Sequence, residues 1–219
     1  MLEKEVFVEY YANAKKSGNQ PWHHSNPTGF LPKIVEQAEK PGKALDMGCG
    51  TGVDGVFLAK NGWDVTCLDF MPDAIEMTKD RAKENNVSLK AIEADIVEWQ
   101  CDEKFDLLID AGLLHNMRRE RILTYMDKIY DLLNPGGHLM LAHWESMNDD
   151  DRLSAGPRRS TRAQIEKLFS RTFGSPTEFE RFQVQTCKLC EGYICGRNKE
   201  PACSEVGPKL SIGFYWFTK

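Results

Sequence analysis

No apolar run in this chain approaches the roughly 18 residues a helix needs to cross a bilayer, so no membrane-spanning helix is expected. The opening Met1-Leu-Glu-Lys-Glu5 has no basic stretch followed by an apolar one, and the cytoplasm is the expected compartment. Positive charge is scarce too: 28 lysines and arginines against 33 acids leave a net charge of −5, with no basic stripe along one face. Nucleic acid is therefore not an expected partner. Repeats and biased segments are absent. The seven cysteines make an odd count, and Cys49, Cys67 and Cys101 fall in or near expected strands, which favours reduced thiols over a disulfide framework. What remains, 41% hydrophobic and 28% charged in 219 residues, suits one globular domain with a full core.

What is present centres on Lys43-Ala-Leu-Asp-Met-Gly-Cys-Gly-Thr-Gly52, a short apolar strand, an acid and three alternating glycines. Glycines at 48, 50 and 52 let the backbone turn tightly and approach a ligand more closely than a Cβ would permit. A dinucleotide fingerprint would need glycine at 53, where this chain has valine, and would not need Asp46 beside the turn. Asp46 points to a cationic ligand and away from a pyrophosphate. No nucleophile elbow is present either.

From Lys43 onward strand and helix alternate, the pattern of a parallel sheet covered on both faces. Strands are expected at 43–47, 64–68, 89–93, 105–110 and 138–143, and helices at 53–61, 72–86 and 118–133, the last ending at the breaker Asn134-Pro-Gly-Gly137. Two further helices, over 4–16 and 30–40, precede the sheet, with Phe7, Tyr10, Tyr11 and Ala14 on one apolar face. After a polar loop, Thr161 and Gln164 form a capping box for a helix over 162–169. Strands at 177–185 and 210–218 then close the chain as an antiparallel hairpin at the sheet edge.

Asp46, Asp69, Asp95 and Asp110 each follow or end an expected strand, so in a parallel sheet they converge on one rim, where open α/β sheets bind ligands. Four carboxylates crowded together repel unless a cationic, hydroxyl-rich ligand lies among them. Asp69, 17 residues beyond Gly52, lies about where such folds hold a ribose. Asp95 and the N–H of Ile96 suit the polar edge of an adenine.

The joint occurrence of Asp-Met-Gly-Cys-Gly-Thr-Gly, Asp69, Ala-Asp-Ile and Leu-Asn-Pro-Gly-Gly over residues 43–145 resembles the class I S-adenosylmethionine (SAM) methyltransferases. That resemblance implies an α/β fold, a Rossmann-like doubly wound sheet of seven mostly parallel strands with an antiparallel last strand and N-terminal covering helices. It implies that Gly48, Cys49, Gly50 and Gly52 cradle the methionine part of SAM with Asp46 nearby, and that Asp69 holds the ribose. Phe70 or Met71 would lie against adenine, Asp95 and Ile96 would read its edge, and Asp110 or Ala111 would contact the amino acid end. The expected organisation is one domain: 1–42 with N-terminal helices and a lid loop, 43–145 as the SAM-binding core, and 146–219 as an acceptor-side loop, a helix and the closing hairpin.

The acceptor is narrowed by absence and by a finer resemblance. No Asn/Asp-Pro-Pro-Tyr/Phe follows the fourth strand, which argues against amino-methylation of nucleobases. Asp110-Ala-Gly-Leu-Leu-His115, the Pro21-Trp22 loop and Gly156-Pro-Arg-Arg-Ser160 are similar to small-molecule methyltransferases around thiopurine S-methyltransferase and the tellurite-resistance methyltransferases. In that group the loop carrying Trp22 lids the site, and soft acceptors such as thiols, selenols or halides need no strong base. His115, His143 and His23 are the candidate catalytic residues, for use where an acceptor starts protonated. His24 has the same standing as a loop histidine. Arg158, Arg159 and Arg162 could bind an anionic substrate group or cap the acids at 149–151.

Cys187, Cys190, Cys195 and Cys203, in an excursion over 186–208, supply enough ligands for a tetrahedral structural zinc at a spacing unlike standard knuckles. Free thiols, disulfides and capture of a soft metalloid are the other readings. The functional alternatives are O- or N-methylation of a small molecule and non-catalytic binding of SAM or its product S-adenosylhomocysteine (SAH). A monomer or homodimer is expected.

Overall fold

A computed structural model describes residues 4–17, 26–146, 158–187 and 206–219. Seven strands form one sheet in the order β3-β2-β1-β4-β5-β7-β6. These are β1 (Lys43–Met47), β2 (Asp64–Asp69), β3 (Lys90–Glu93), β4 (Phe105–Asp110), β5 (Leu133–Glu145), β6 (Glu178–Cys187) and β7 (Val206–Thr218). The chain builds β1, β2 and β3 outward in one direction, then returns to lay β4 on the other side of β1, all parallel. The reversal between β1 and β4 leaves a crevice beyond their carboxyl ends, where doubly wound sheets hold ligands. β5 continues in parallel, and β7 enters antiparallel between β5 and β6.

Alternation along the central strands divides two cores. Leu45, Met47 and Leu108 face α5 (Ile122–Leu132) and α6 (Arg162–Phe169), joined by Tyr125, Ile129, Phe169 and Phe217. Ala44, Leu107 and Ile109 face the opposite layer with Leu31 of α2 (Leu31–Gln37) and Leu58 of α3 (Val53–Lys60). A third, small cluster joins Phe7 and Tyr11 of α1 (Lys4–Ser17) to Phe70, Met71 and Ala74, the last on α4 (Pro72–Glu84). Pro32 and Pro72 stand in the first turns of their helices, where a missing N–H costs nothing. The Thr161–Gln164 capping box is formed in both directions.

Several boundaries differ from expectation: the helix expected over 30–40 ends at Gln37, β6 runs to Cys187, and β7 starts at Val206 where 210 was expected, which shortens the excursion expected over 186–208. The helix expected from 118 begins as two 3₁₀ turns, Leu114–Asn116 and Arg119–Arg121, and is α-helical only from Ile122. Between those turns Arg118 is extended (φ −64°, ψ 138°). The breaker Asn134-Pro-Gly-Gly137 ends α5 but lies within the span of β5, as a register shift between the Phe105–Leu133 and Leu107–His138 pairs. Its polar groups are satisfied there: the Asn134 amide donates to Asp106 at 2.8 Å, and Gly136 and Gly137 exchange backbone bonds with Lys219. Among the described residues, no helix is long and apolar enough to cross a membrane.

Candidate active site

The crevice opens into a cavity of about 550 Å³, within the size range of small-ligand sites. Its walls bring together Asp46, Gly48, Cys49, Gly50, Asp69, Phe70, Asp95, Ile96, Ala111 and His115 from the expected set. Phe7 and Tyr11 of α1 close it on one side, and Leu113, Met117, Arg118 and Arg121 on another. Gly52, Met71, Asp110 and His143 are not on its wall. Trp22, His23 and His24 lie outside the described residues.

The turn after β1 is built as the sequence demands. Gly48, Gly50 and Gly52 have φ of +69°, +56° and +74°, left-handed values that side chains disfavour. The N–H groups of Gly48 and Cys49 both donate to the Leu68 carbonyl, at 2.7 and 3.1 Å, which ties the turn to β2. Asp69 completes the tie: one oxygen accepts from Gly50 N at 3.0 Å and the other from Met71 N at 2.9 Å. Burial raises the Asp69 carboxyl to about 6 against these backbone N–H groups, which pull it down. Asp46, 2% exposed, accepts from Gly55 N at 3.1 Å. Its carboxyl is pushed well above the usual range, by burial first and then by Asp54, with Asp69 and Asp110 adding to it.

Asp110 has a different task. It is fully buried, accepts from the N–H groups of Gly112, Leu113 and Leu114, and receives the Tyr125 hydroxyl at 2.7 Å. It therefore shapes the backbone that carries Ala111 and His115. Burial lifts its pKa, and the Tyr125 bond and the three N–H groups oppose that lift. Asp95 is likewise engaged: Arg121 grips both its oxygens at 2.7 Å, and Val97 N donates to one at 3.0 Å.

His115 and His143 meet edge to face, ring centroids 5.6 Å apart, with Trp144 6.5 Å from His115. Nδ1 of His143 lies 2.7 Å from the Trp144 carbonyl. A carbonyl only accepts, so that nitrogen carries the proton and Nε2 holds the lone pair. Burial lowers the His143 pKa to about 4, with the Arg158 charge adding to it. His115 falls well below the histidine range, by burial first, then His143 and Arg158. Its Nδ1 is buried and has no hydrogen-bond partner among the described residues.

Of the arginines expected to bind an anionic group or to cap the acids at 149–151, which lie outside the described residues, Arg158 and Arg162 have partners within the fold. Arg158 donates to the Leu114 carbonyl at 3.1 Å and to that of Met117, while its own N–H donates to His115 O at 3.1 Å. Arg162 pairs with Glu166 at 2.6 Å and covers the Phe179 ring. Reading the sequence missed the partnerships of Arg121, Tyr125 and Arg158, which join residues 15 to 44 positions apart.

Among the described residues, no group of three or more histidine, cysteine or carboxylate side chains is placed to hold a metal. Cys190, Cys195 and Cys203 lie outside those residues, and Cys187 is described only by its backbone, paired with Val206. Cys49, Cys67 and Cys101 are free thiols.

Comparison with known proteins agrees with this geometry. A methyltransferase-domain family matches residues 44–137. The probable thiol methyltransferase 2 of Arabidopsis thaliana is 28% identical over 84% of this chain and 79% of its own length. The probable S-adenosyl-L-methionine-dependent methyltransferase TehB of Haemophilus influenzae is 26% identical over 58% of this chain, which spans only 44% of that relative. The N-methyltransferase NodS of Bradyrhizobium japonicum, solved with SAH, shares the fold at a TM-score of 0.66 and 20% identity, covering 96% of this chain and 98% of its own. With its glycine turn, its acid-lined crevice and its matching domain, the chain carries a methyltransferase domain over residues 44–137, resembles SAM-dependent methyltransferases and is an enzyme that uses SAM.

Proposed function

We propose that the enzyme methylates a small-molecule acceptor, a thiol or another soft nucleophile, in the part of the cavity between the glycine turn and His115. The observation that carries this reading is the His115–His143 pair, whose burial and whose neighbour Arg158 disfavour the protonated form of both rings. Neither is suited to finish a reaction holding the acceptor's proton. A thiol, with a free pKa of about 8.5, ionises without strong help, whereas an alcohol does not. The Arg158 charge beside the pair favours an acceptor that arrives as an anion. Similarity to a probable thiol methyltransferase supports the same class.

The cavity fits SAM on its own chemistry: the left-handed Gly48 and Gly50 bring bare backbone to its wall, buried acids suit a cation, and Phe7, Tyr11, Phe70 and Ile96 offer an apolar slot. SAM supplies a methyl group on a positively charged sulfur that a nucleophile displaces in line. In this reading Gly48, Cys49 and Gly50 hold the methionine part beside Asp46, with Gly52 off the cavity wall closing the turn behind them, and Asp69 accepts from the ribose hydroxyls. Phe70 lies against adenine with Met71 packed behind it. Ile96 and Asp95, which adenine shares with Arg121, read the adenine edge. Ala111 lines the amino acid end, with Asp110 fixing its backbone. The protein's own contribution is alignment and exclusion of water, by Tyr11, Leu113 and Met117. In the same reading the whole chain is one methyltransferase domain; Trp22, His23 and the zinc candidates Cys190, Cys195 and Cys203 lie outside the described residues, and substitution and a metal assay test them.

One observation favours O- or N-methylation as the second reading: among the described residues Nδ1 of His115 has no hydrogen-bond partner, and in the tautomer protonated at Nε2 it could take a proton from an acceptor O–H or N–H. SAH release from SAM with a panel of thiols, halides, phenols and amines separates the two. Turnover restricted to thiols and halides supports the first reading. Turnover with phenols or amines, abolished in His115→Ala, supports the second. SAM binding without turnover on the panel counts against both.

A further inference from the structure

The glycine turn has its donors and its acceptors pinned by different elements. Its N–H groups at 48, 49 and 50 are committed to Leu68 and Asp69, on the β2 side. Two of its carbonyls face α4: the Thr78 hydroxyl donates to Gly50 O at 3.2 Å, and Arg81 Nε donates to Thr51 O at 2.6 Å, while Cys49 O takes the Gly52 N–H and Gly52 O the Val56 N–H. Arg81 Nη2 adds a longer bond, 3.4 Å, to the Thr51 hydroxyl. Thr78 is completely buried, and a Cβ placed on Gly52 would stand 2.8 Å from its Oγ1 and Cγ2. The side chain therefore fills the space that a glycine at 52 leaves open. Thr78 and Arg81 are three apart, so they share one face of α4.

We infer that Thr78 and Arg81 are positioning residues for the methionine end of the cofactor, holding the glycine turn in its binding shape from behind without touching the ligand. The inference rests on the assignment of SAM to this cavity. Three left-handed glycines in five residues have more freedom than any other backbone, and the Gly52 N–H bond to the Cys49 carbonyl at 2.9 Å closes the turn on itself without fixing its far side against the fold. The two α4 side chains remove that freedom. α4 also starts at Pro72, directly after the 69–71 segment proposed to hold ribose and adenine. One rigid helix thus sets the spacing between the two ends of the ligand, and Asp69, bonded to both Gly50 and Met71, fixes that spacing at its near end.

Calorimetric titration of the full chain with SAM, SAH and adenosine tests this. Adenosine lacks the methionine part, so the inference demands a split between ligands. Thr78→Val and Arg81→Met should each weaken SAM and SAH by roughly 5- to 20-fold, the size of one buried hydrogen bond lost. Adenosine should stay within about twofold, as should all three ligands with Thr78→Ser, which keeps the hydroxyl. Unchanged SAM affinity in both variants would overturn the inference. So would an equal loss for adenosine, which marks a general loosening of the pocket. A native chain that bound adenosine but neither SAM nor SAH would remove the cofactor assignment and this inference with it.

Discussion

The Tyr125 hydroxyl donates to Asp110 at 2.7 Å in a place no solvent reaches, and the same carboxylate gathers three successive backbone N–H groups of the segment leading to His115. Tyr125→Phe leaves a buried carboxylate short of one donor. A loss of about 1.5–3 kcal/mol is expected, as for hydrogen bonds to charged groups. Urea denaturation measures it, and the acceptor KM should rise together with it because the turn bearing His115 loses its anchor.

Asp69 faces the cavity with a carboxyl titrating at about 6. Asp69→Ala should weaken SAM by roughly 1.5–3 kcal/mol. In the native chain SAM affinity should climb between pH 5 and pH 7, as the carboxylate forms and becomes a full acceptor for ribose hydroxyls. Titration at several pH values checks both, and an unchanged affinity in the variant refutes the ribose assignment.

His143 is 1% exposed with its pKa lowered to about 4. Below the unfolded histidine value of about 6.5 the unfolded chain takes up a proton that the folded chain refuses, so stability falls as pH drops through that window. The contribution reaches about 3 kcal/mol by pH 4. Asp69 contributes with the opposite sign: its raised pKa makes the folded chain the stronger proton binder between its unfolded value and about 6, so its share of stability declines as pH rises. Denaturation of His143→Gln at pH 5 and pH 7 isolates the histidine share. The variant should lose less stability on acidification than the native chain.

Gly55 packs its bare Cα against Cys67. A Cβ there would lie 2.2 Å from Sγ, with Asp46 Oδ2 at 3.4 Å. Gly55→Ala should therefore cost about 1–3 kcal/mol by overpacking, despite alanine's better helix propensity. Cys67→Ala in the same chain should recover most of that cost. A double-mutant cycle by chemical denaturation would show the coupling.

The order of strands and helices was legible because hydrophobic period and glycine punctuation are local. The turn at 48–52 and the acids at strand ends could be read for the same reason, and the structure places Asp46, Asp69 and Asp95 on one cavity. What those acids bond to could not be read. Asp95 is held by an arginine 26 positions away, and Asp110 by a tyrosine whose helical spacing marked it only as core. The start of α5 escaped notice because Arg118 to Arg121 continue the helical spacing, while Arg121 is drawn to Asp95 and the backbone tightens to 3₁₀ there. The strand span of Asn134-Pro-Gly-Gly137 depends on Lys219, more than eighty residues on. A breaker by composition became part of a sheet by a distant pairing.

The insertion of β7 between β5 and β6 has a consequence for synthesis. Until residues 206–218 emerge from the ribosome, β5 presents an open hydrogen-bonding edge and β6 has no partner strand in the sheet. Exposed edges of that kind recruit other chains. The parallel half with the glycine turn is complete by residue 145, so a nascent chain can form its cofactor crevice while its far flank is still adhesive. Slow translation of residues 146–218 would lengthen the time that edge stays exposed.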